Sequence, residues 1–123
     1  MTECIAFIKV KDLQATIDWY KLIGFECVAT NLIWEPDCEI NWAKLDYDNA
    51  GFMIGPDERA TIPDENDVHL WFNVDSIDSI TERLTNLGIS IDLEAETFYG
   101  RRNVSFKDLN GFTVSISCKL ETA

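Results

Sequence analysis

The sequence predicts an α+β protein made of two successive β-α-β-β-β repeats. Three observations carry this reading: an internal repeat, a helix-spaced apolar stripe closed by glycine in each half, and strand-like alternation elsewhere. Sliding the chain along itself at an offset of 64 residues lays Ile5-Ala-Phe-Ile-Lys-Val10 over His69-Leu-Trp-Phe-Asn-Val74. Without a gap, Leu13, Tyr20, Gly24, Phe25 and Cys27 then fall on Ile77, Leu84, Gly88, Ile89 and Ile91. Self-similarity of this kind marks a duplicated supersecondary unit.

Each repeat opens on an apolar-rich strand, 5–10 and 69–74. Asp12 and Ser76 then offer side-chain oxygens to the free amides of a first helical turn, and are the expected N-caps. Behind them Leu13, Ile17 and Tyr20, and in the second copy Ile77, Ile80, Leu84 and Leu87, recur at helical spacing and give each helix one apolar stripe. Gly24 and Gly88 end the helices, because glycine accepts the left-handed backbone that releases the chain. Strands follow at 25–30 and 89–93, then at 40–47 and 51–54 in the first half and 103–107 and 112–118 in the second. Asp48-Asn-Ala-Gly51 and Asp108-Leu-Asn-Gly111 read as the turns between the last two strands of each half. Residues 55–67, with Pro56, Pro63 and five acids, have the composition of a linker. The expected organisation is one domain over 1–123, with repeat one at about 4–55, a linker at 56–67 and repeat two at about 68–118.

A chain of 123 residues can bury roughly two-thirds of the surface it exposes when unfolded. Hydrophobic residues at 46% and the absence of a low-complexity tract argue for a globular protein. Twenty-two acids against ten bases give a formal net charge of −12, a field that repels phosphate backbones and anionic membranes. Nucleic acid and membrane are therefore not expected partners; the charge by itself reads first as solubility and second as a pocket that attracts cationic ligands. The start, Met-Thr-Glu-Cys, lacks a basic head and an apolar stretch, so the expected location is the cytoplasm. Cys4, Cys27, Cys38 and Cys118 show no Cys-x-x-Cys spacing and are expected to be reduced core thiols.

Val10-Lys-Asp-Leu13 leading into Asp18-Trp-Tyr20 and Ile23-Gly-Phe25, Val74-Asp-Ser-Ile77 leading into Leu87-Gly-Ile89, and Asp108-Leu-Asn-Gly111 stand in a characteristic order and spacing. In these segments the chain resembles the vicinal oxygen chelate superfamily, the fold of glyoxalase, extradiol dioxygenases and bleomycin-resistance proteins. Phe98-Tyr-Gly-Arg-Arg102, followed by alternating Val104 and Phe106, is similar to a bleomycin-resistance-like subgroup. Leu109 departs from the pattern, which commonly has proline there. The resemblance implies that the strands of each half curl into a mixed-sheet cup with the helices outside. Period-two alternation would then turn Ile8, Val10, Leu70, Phe72, Val74, Phe112, Val114 and Ile116 toward the helices. It would leave Ile5, Phe7, Lys9, His69, Trp71, Asn73, Thr113, Ser115 and Ser117 lining the cup.

Metal-dependent relatives hold a divalent ion with His and Glu side chains on these strands, and a firm Lewis acid needs several such donors. By the resemblance, the ligand positions here correspond to Ile5, His69 and Ser115, of which only His69 is a ligand of the usual kind. No metal and no other cofactor are therefore expected. A second histidine, a phosphate-cradling glycine loop and a nucleophile elbow are absent from the sequence, so no catalytic residue is assigned. Trp34, Trp42 and Trp71 offer flat, polarizable surface on which a planar or cationic molecule can stack, while Trp19 lies in the first helix. The candidate ligand-binding residues are Phe7, Trp42, His69, Trp71, Asn73, Tyr99, Arg102, Thr113 and Ser115. The function expected is metal-independent binding of a small molecule, with sequestration of a planar cationic antibiotic as its sharpest form. A lyase, isomerase or dioxygenase with a non-standard metal site is the alternative. A homodimer is expected, because a half-barrel exposes strand edges that pairing protects.

Overall fold

A computed structural model describes residues 2–59 and 68–120. The chain divides into two compact units, Met1–Pro63 and Asp64–Ala123. Most of the expected linker, 60–67, lies outside the described residues.

The first unit runs β1 (Phe7–Val10), α1 (Leu13–Leu22), β2 (Glu26–Thr30), a short 3-10 turn (Asn31–Ile33), β3 (Ala43–Tyr47) and β4 (Ala50–Pro56). Its sheet has the order β1-β4-β3-β2, with β1 parallel to β4 and the remaining pairs antiparallel. The second unit runs β5 (His69–Asn73), α2 (Asp78–Asn86), β6 (Asp92–Glu94), β7 (Arg101–Lys107) and β8 (Thr113–Lys119). Its sheet repeats the plan as β5-β8-β7-β6, again with one parallel pair, β5 with β8. Both halves are thus the β-α-β-β-β unit that the repeat demands.

In the first unit Asp12 caps α1 by accepting the Ala15 amide at 3.0 Å. The stripe Leu13, Ile17 and Tyr20 is buried, and α1 packs on β2, β3 and β4. Tyr20 is fully buried and meets Phe25 and Phe52 edge-on, with ring centroids 5.0 and 5.2 Å away. That geometry suits the opposed charge of aromatic faces and edges. The strand expected over 40–47 begins only at Ala43. Asn31 is the reason: its side-chain carbonyl accepts the amides of Asn41 and Trp42 at 2.8 and 3.3 Å, while its amide donates to the Glu39 carbonyl at 2.9 Å. Backbone groups that a strand would use are satisfied by one buried side chain instead.

In the second unit α2 begins at Asp78, two residues after the expected cap. Ser76 Oγ accepts the Asp78 amide at 3.3 Å, and Ile77 forms the helix entry without a side-chain cap. Ile77, Ile80 and Leu84 are buried, whereas Leu87 is 43% exposed and leaves the stripe. Gly88, at φ 74°, turns the chain, and the Ile89 amide closes back on the Leu84 carbonyl at 3.0 Å. The chain therefore reaches the edge of β7 only at Asp92, and the strand expected from 89 shrinks to three residues. Asp108 organises the last turn by accepting the Asn110 and Phe112 amides at 2.8 and 3.0 Å. The reading of four core thiols holds only for Cys118, since Cys4 and Cys38 are exposed and Cys27 is half-buried. No helix among the described residues is long and apolar enough to cross a membrane.

Candidate functional site: the polar face of the second sheet

Alternation separates the two faces of the second sheet. Leu70, Phe72, Val104, Phe106, Val114 and Ile116 are buried on one face. On the other, cross-strand partners align in rows. Trp71, Ser115, Ser105 and Asp92 form one row, and Asn73, Ser117, Asn103 and Glu94 the next. At about 4.8 Å between strands, each row spans roughly 14 Å.

Hydrogen bonds knit this face together. His69 Nε2 lies 2.7 Å from Ser115 Oγ, which lies 2.7 Å from Ser105 Oγ. Trp71 Nε1 donates to Asn73 Oδ1 at 2.8 Å, and Arg101 Nη2 donates to the same oxygen at 3.2 Å. Arg101 Nε also donates to Ser117 Oγ at 2.6 Å, and Nη2 reaches the Ser117 carbonyl at 3.3 Å. Asn103 Nδ2 donates to the Tyr99 hydroxyl at 2.6 Å. Asn103 Oδ1, in a residue only 4% exposed, has no partner among the described residues. Buried polar atoms are paired as a rule, so an orphan buried acceptor is a cost to the fold.

Of the residues expected to line a site, His69, Trp71, Asn73, Thr113 and Ser115 share this face, and Tyr99 reaches it through Asn103. Arg102 does not. It is the cross-strand partner of Cys118, and its Nη1 pairs with Asp78 of α2 at 3.5 Å, so it points to the helix side. Arg101 takes its place. Asn103, Ser105 and Ser117 also belong to the face without having been singled out as binding residues. The signal for them was present, because Val104 and Phe106 mark the buried parity and their odd-numbered neighbours must face the other way.

Phe7 and Trp42 belong to the first unit. Phe7 is 50% exposed and its ring lies across Gly55, where a Cβ would come within 2.6 Å of Cζ. Trp42 precedes β3 and faces Trp34 at 6.0 Å between ring centroids. In the same unit the Arg59 guanidinium bonds the Asp57 carboxylate from Nε at 2.9 and 3.0 Å and holds its pKa down at about 2. Burial pushes the Cys27 thiol up, against an opposing pull from Lys21. A hydrogen bond to Glu35 raises Cys38.

The second-unit face does not fit a divalent ion held in the manner of metal-dependent relatives. His69 Nε2 is engaged by a serine hydroxyl, and no group of three or more His, Cys, Asp or Glu among the described residues could hold a metal. Nor is the His69–Ser115 pair built as a nucleophile. Ser115 is 1% exposed, and no carboxylate among the described residues orients the imidazole. What the face offers is a half-exposed indole, a fixed guanidinium and an acidic edge.

Two β-α-β-β-β units, each a four-stranded mixed sheet with one parallel pair, define the duplicated α+β class of the vicinal oxygen chelate fold. The chain belongs to the Glyoxalase/Bleomycin resistance protein/Dioxygenase superfamily, whose family model matches residues 5–116. Among solved structures it is similar to the bleomycin resistance determinant encoded on the transposon Tn5, at TM-score 0.77 and 14% identity, covering 99% of this chain and 100% of that one. It is similar to TioX from Micromonospora sp. ML1 at TM-score 0.74 and 18% identity, with 99% of each chain covered. The fosfomycin resistance protein FosX from Listeria monocytogenes follows at TM-score 0.68 and 16% identity, covering 96% and 93%. FosX is also known complexed with Mn(II) and sulfate. No curated protein matches the sequence.

Proposed function

We propose that the polar face of the second sheet binds a planar, positively charged small organic molecule without a divalent ion. The observation that carries this is the row from Trp71 to Asp92. Trp71 is 46% exposed, and its indole is held by Asn73, so it is a stacking surface fixed in place. Asp92 and Glu94, both exposed, stand at the far ends of the two rows, where a cationic group can be matched. The overall charge of −12 raises the local concentration of cations. Engagement of His69 by Ser115 supports binding without a metal over metal-assisted catalysis. A bleomycin-resistance determinant among the structural neighbours makes bleomycin and other aromatic antibiotics the first ligands to try, with sequestration the role.

Fluorescence titration with proflavine and with bleomycin tests this reading. Binding should quench tryptophan emission, weaken as salt rises, and weaken by about 1–2 kcal/mol in Trp71→Ala. Binding indifferent to both Trp71 and salt, or one equivalent of a transition metal in the purified protein that is lost in His69→Ala, would overturn it.

The chain is further proposed to act as a cytoplasmic homodimer. Val28, Ile33 and Trp34 of the first unit are exposed at 46, 63 and 71%, large apolar side chains that a second copy would cover. Like charges oppose pairing, so light scattering should show a dimer fraction that grows with salt. A monomer at every salt concentration refutes this.

A further inference from the structure

We propose that the cavity at the end of β5 and β8 is a subsite for a single carboxylate carried by the ligand. This rests on the reading of the second-unit face as a small-molecule site and names a further group that the ligand bears. The cavity, about 380 Å³, is lined by Asn73, Val74, Asp75, Arg101 and Lys119. Acids outnumber bases 22 to 10 in this chain, yet neither Arg101 nor Lys119 has a carboxylate partner among the described residues. The two are cross-strand partners, so two cations stand side by side. Like charges so placed repel, and an anion between them relieves the repulsion.

The arginine is also preorganised. Its Nε and Nη2 are held by Ser117 Oγ, the Ser117 carbonyl and Asn73 Oδ1, all neutral acceptors, which leaves Nη1 with no protein partner among the described residues. A guanidinium fixed by neutral groups keeps its full charge and loses little entropy when an oxyanion arrives. Asn73 Oδ1 accepts from Trp71 Nε1 as well, so the indole and the guanidinium are fixed relative to each other through one oxygen. An aromatic ring on Trp71 would thus place a short carboxylate arm at Arg101. Asp75 on the same lining sets the charge to be matched: two cations and one anion suit a monoanion better than a phosphate dianion. It also stands ready for an ammonium beside that carboxylate.

Tryptamine and tryptophan form the test pair, because they differ by one carboxylate. Their binding to the labelled protein is followed by NMR through Trp71 Nε1–H and Arg101 Nε–H. Tryptophan should bind about tenfold more tightly than tryptamine, the scale of one charge-assisted hydrogen bond. Arg101→Gln should erase that preference, and Lys119→Gln, at an exposed position, should reduce it by about threefold. Equal and measurable binding of the two compounds, or a preference that survives Arg101→Gln, overturns the subsite. Acetate alone gives an arm independent of stacking: a saturable shift at Arg101 Nε–H, larger than inorganic phosphate produces, supports the subsite even if neither indole compound perturbs Trp71. In that case the aromatic reading fails and the subsite stands. A shift with acetate that never saturates, with neither indole compound binding, overturns both.

Discussion

Replacing Asn103 by leucine is expected to leave the chain at least as stable as before, whereas Tyr99→Phe destabilises it, although both delete the same hydrogen bond. Asn103 is 4% exposed, donates to the Tyr99 hydroxyl at 2.6 Å, and keeps Oδ1 unpartnered among the described residues. Leucine forfeits that bond, worth about 1 kcal/mol net, but it also removes an orphan buried acceptor that costs about 1–3 kcal/mol. The Tyr99 hydroxyl left behind belongs to a residue 46% exposed and can turn to water, so no new orphan arises on that side. The balance is a gain of about 0–2 kcal/mol. In Tyr99→Phe the bond is lost while both polar atoms of the buried amide are left unpaired, for a loss of about 1–3 kcal/mol. Equilibrium urea unfolding with an unchanged slope measures both directly, and each kcal/mol should move a melting midpoint by roughly 3–5 °C at this size. The two substitutions should therefore shift the midpoint in opposite directions. Loss of more than about 1 kcal/mol in Asn103→Leu would refute the reasoning, because it would mean that Oδ1 was already satisfied.

Two further outcomes are expected from the first unit. Gly55→Ala should displace the Phe7 ring, since a Cβ there meets Cζ at 2.6 Å, and NMR should show ring-current shifts moving around β1 and β4; an unmoved Phe7 ring would count against the close approach. The Asp57 carboxyl should titrate near 2 by carbon-detected NMR and move up toward the ordinary value of about 3.9 in Arg59→Gln. Because its folded-state value lies below the unfolded one, its contribution to stability is full above about 4 and is lost as pH falls through about 2. An unchanged titration in Arg59→Gln would show that the guanidinium is not the cause.

By itself the sequence determined the duplicated β-α-β-β-β plan, both helix positions, the glycine exits and the face that each main strand buries. These are local matters: period-two and helical spacing are imposed by backbone geometry, and the repeat at offset 64 states them twice. His69, Trp71, Asn73 and Ser115 were legible for the same reason, because each alternates with a buried apolar neighbour. Where strands begin was decided elsewhere in the fold. Asn31 takes the amides before β3, and Leu84 takes the Ile89 amide before β6, bonds that follow from hydrogen-bond geometry rather than from the alternation of apolar residues. Arg101 and Arg102 are chemically identical neighbours that the parity of Val104 and Phe106 already assigns to opposite faces, but their partners, Asp78 for one and Asn73 and Ser117 for the other, are fixed only when the elements come together. The orphan oxygen of Asn103 and the pairing of two cations beside one cavity likewise exist only once separate strands lie side by side, because hydrogen-bond satisfaction and charge proximity are properties of distance in space rather than of spacing along the chain.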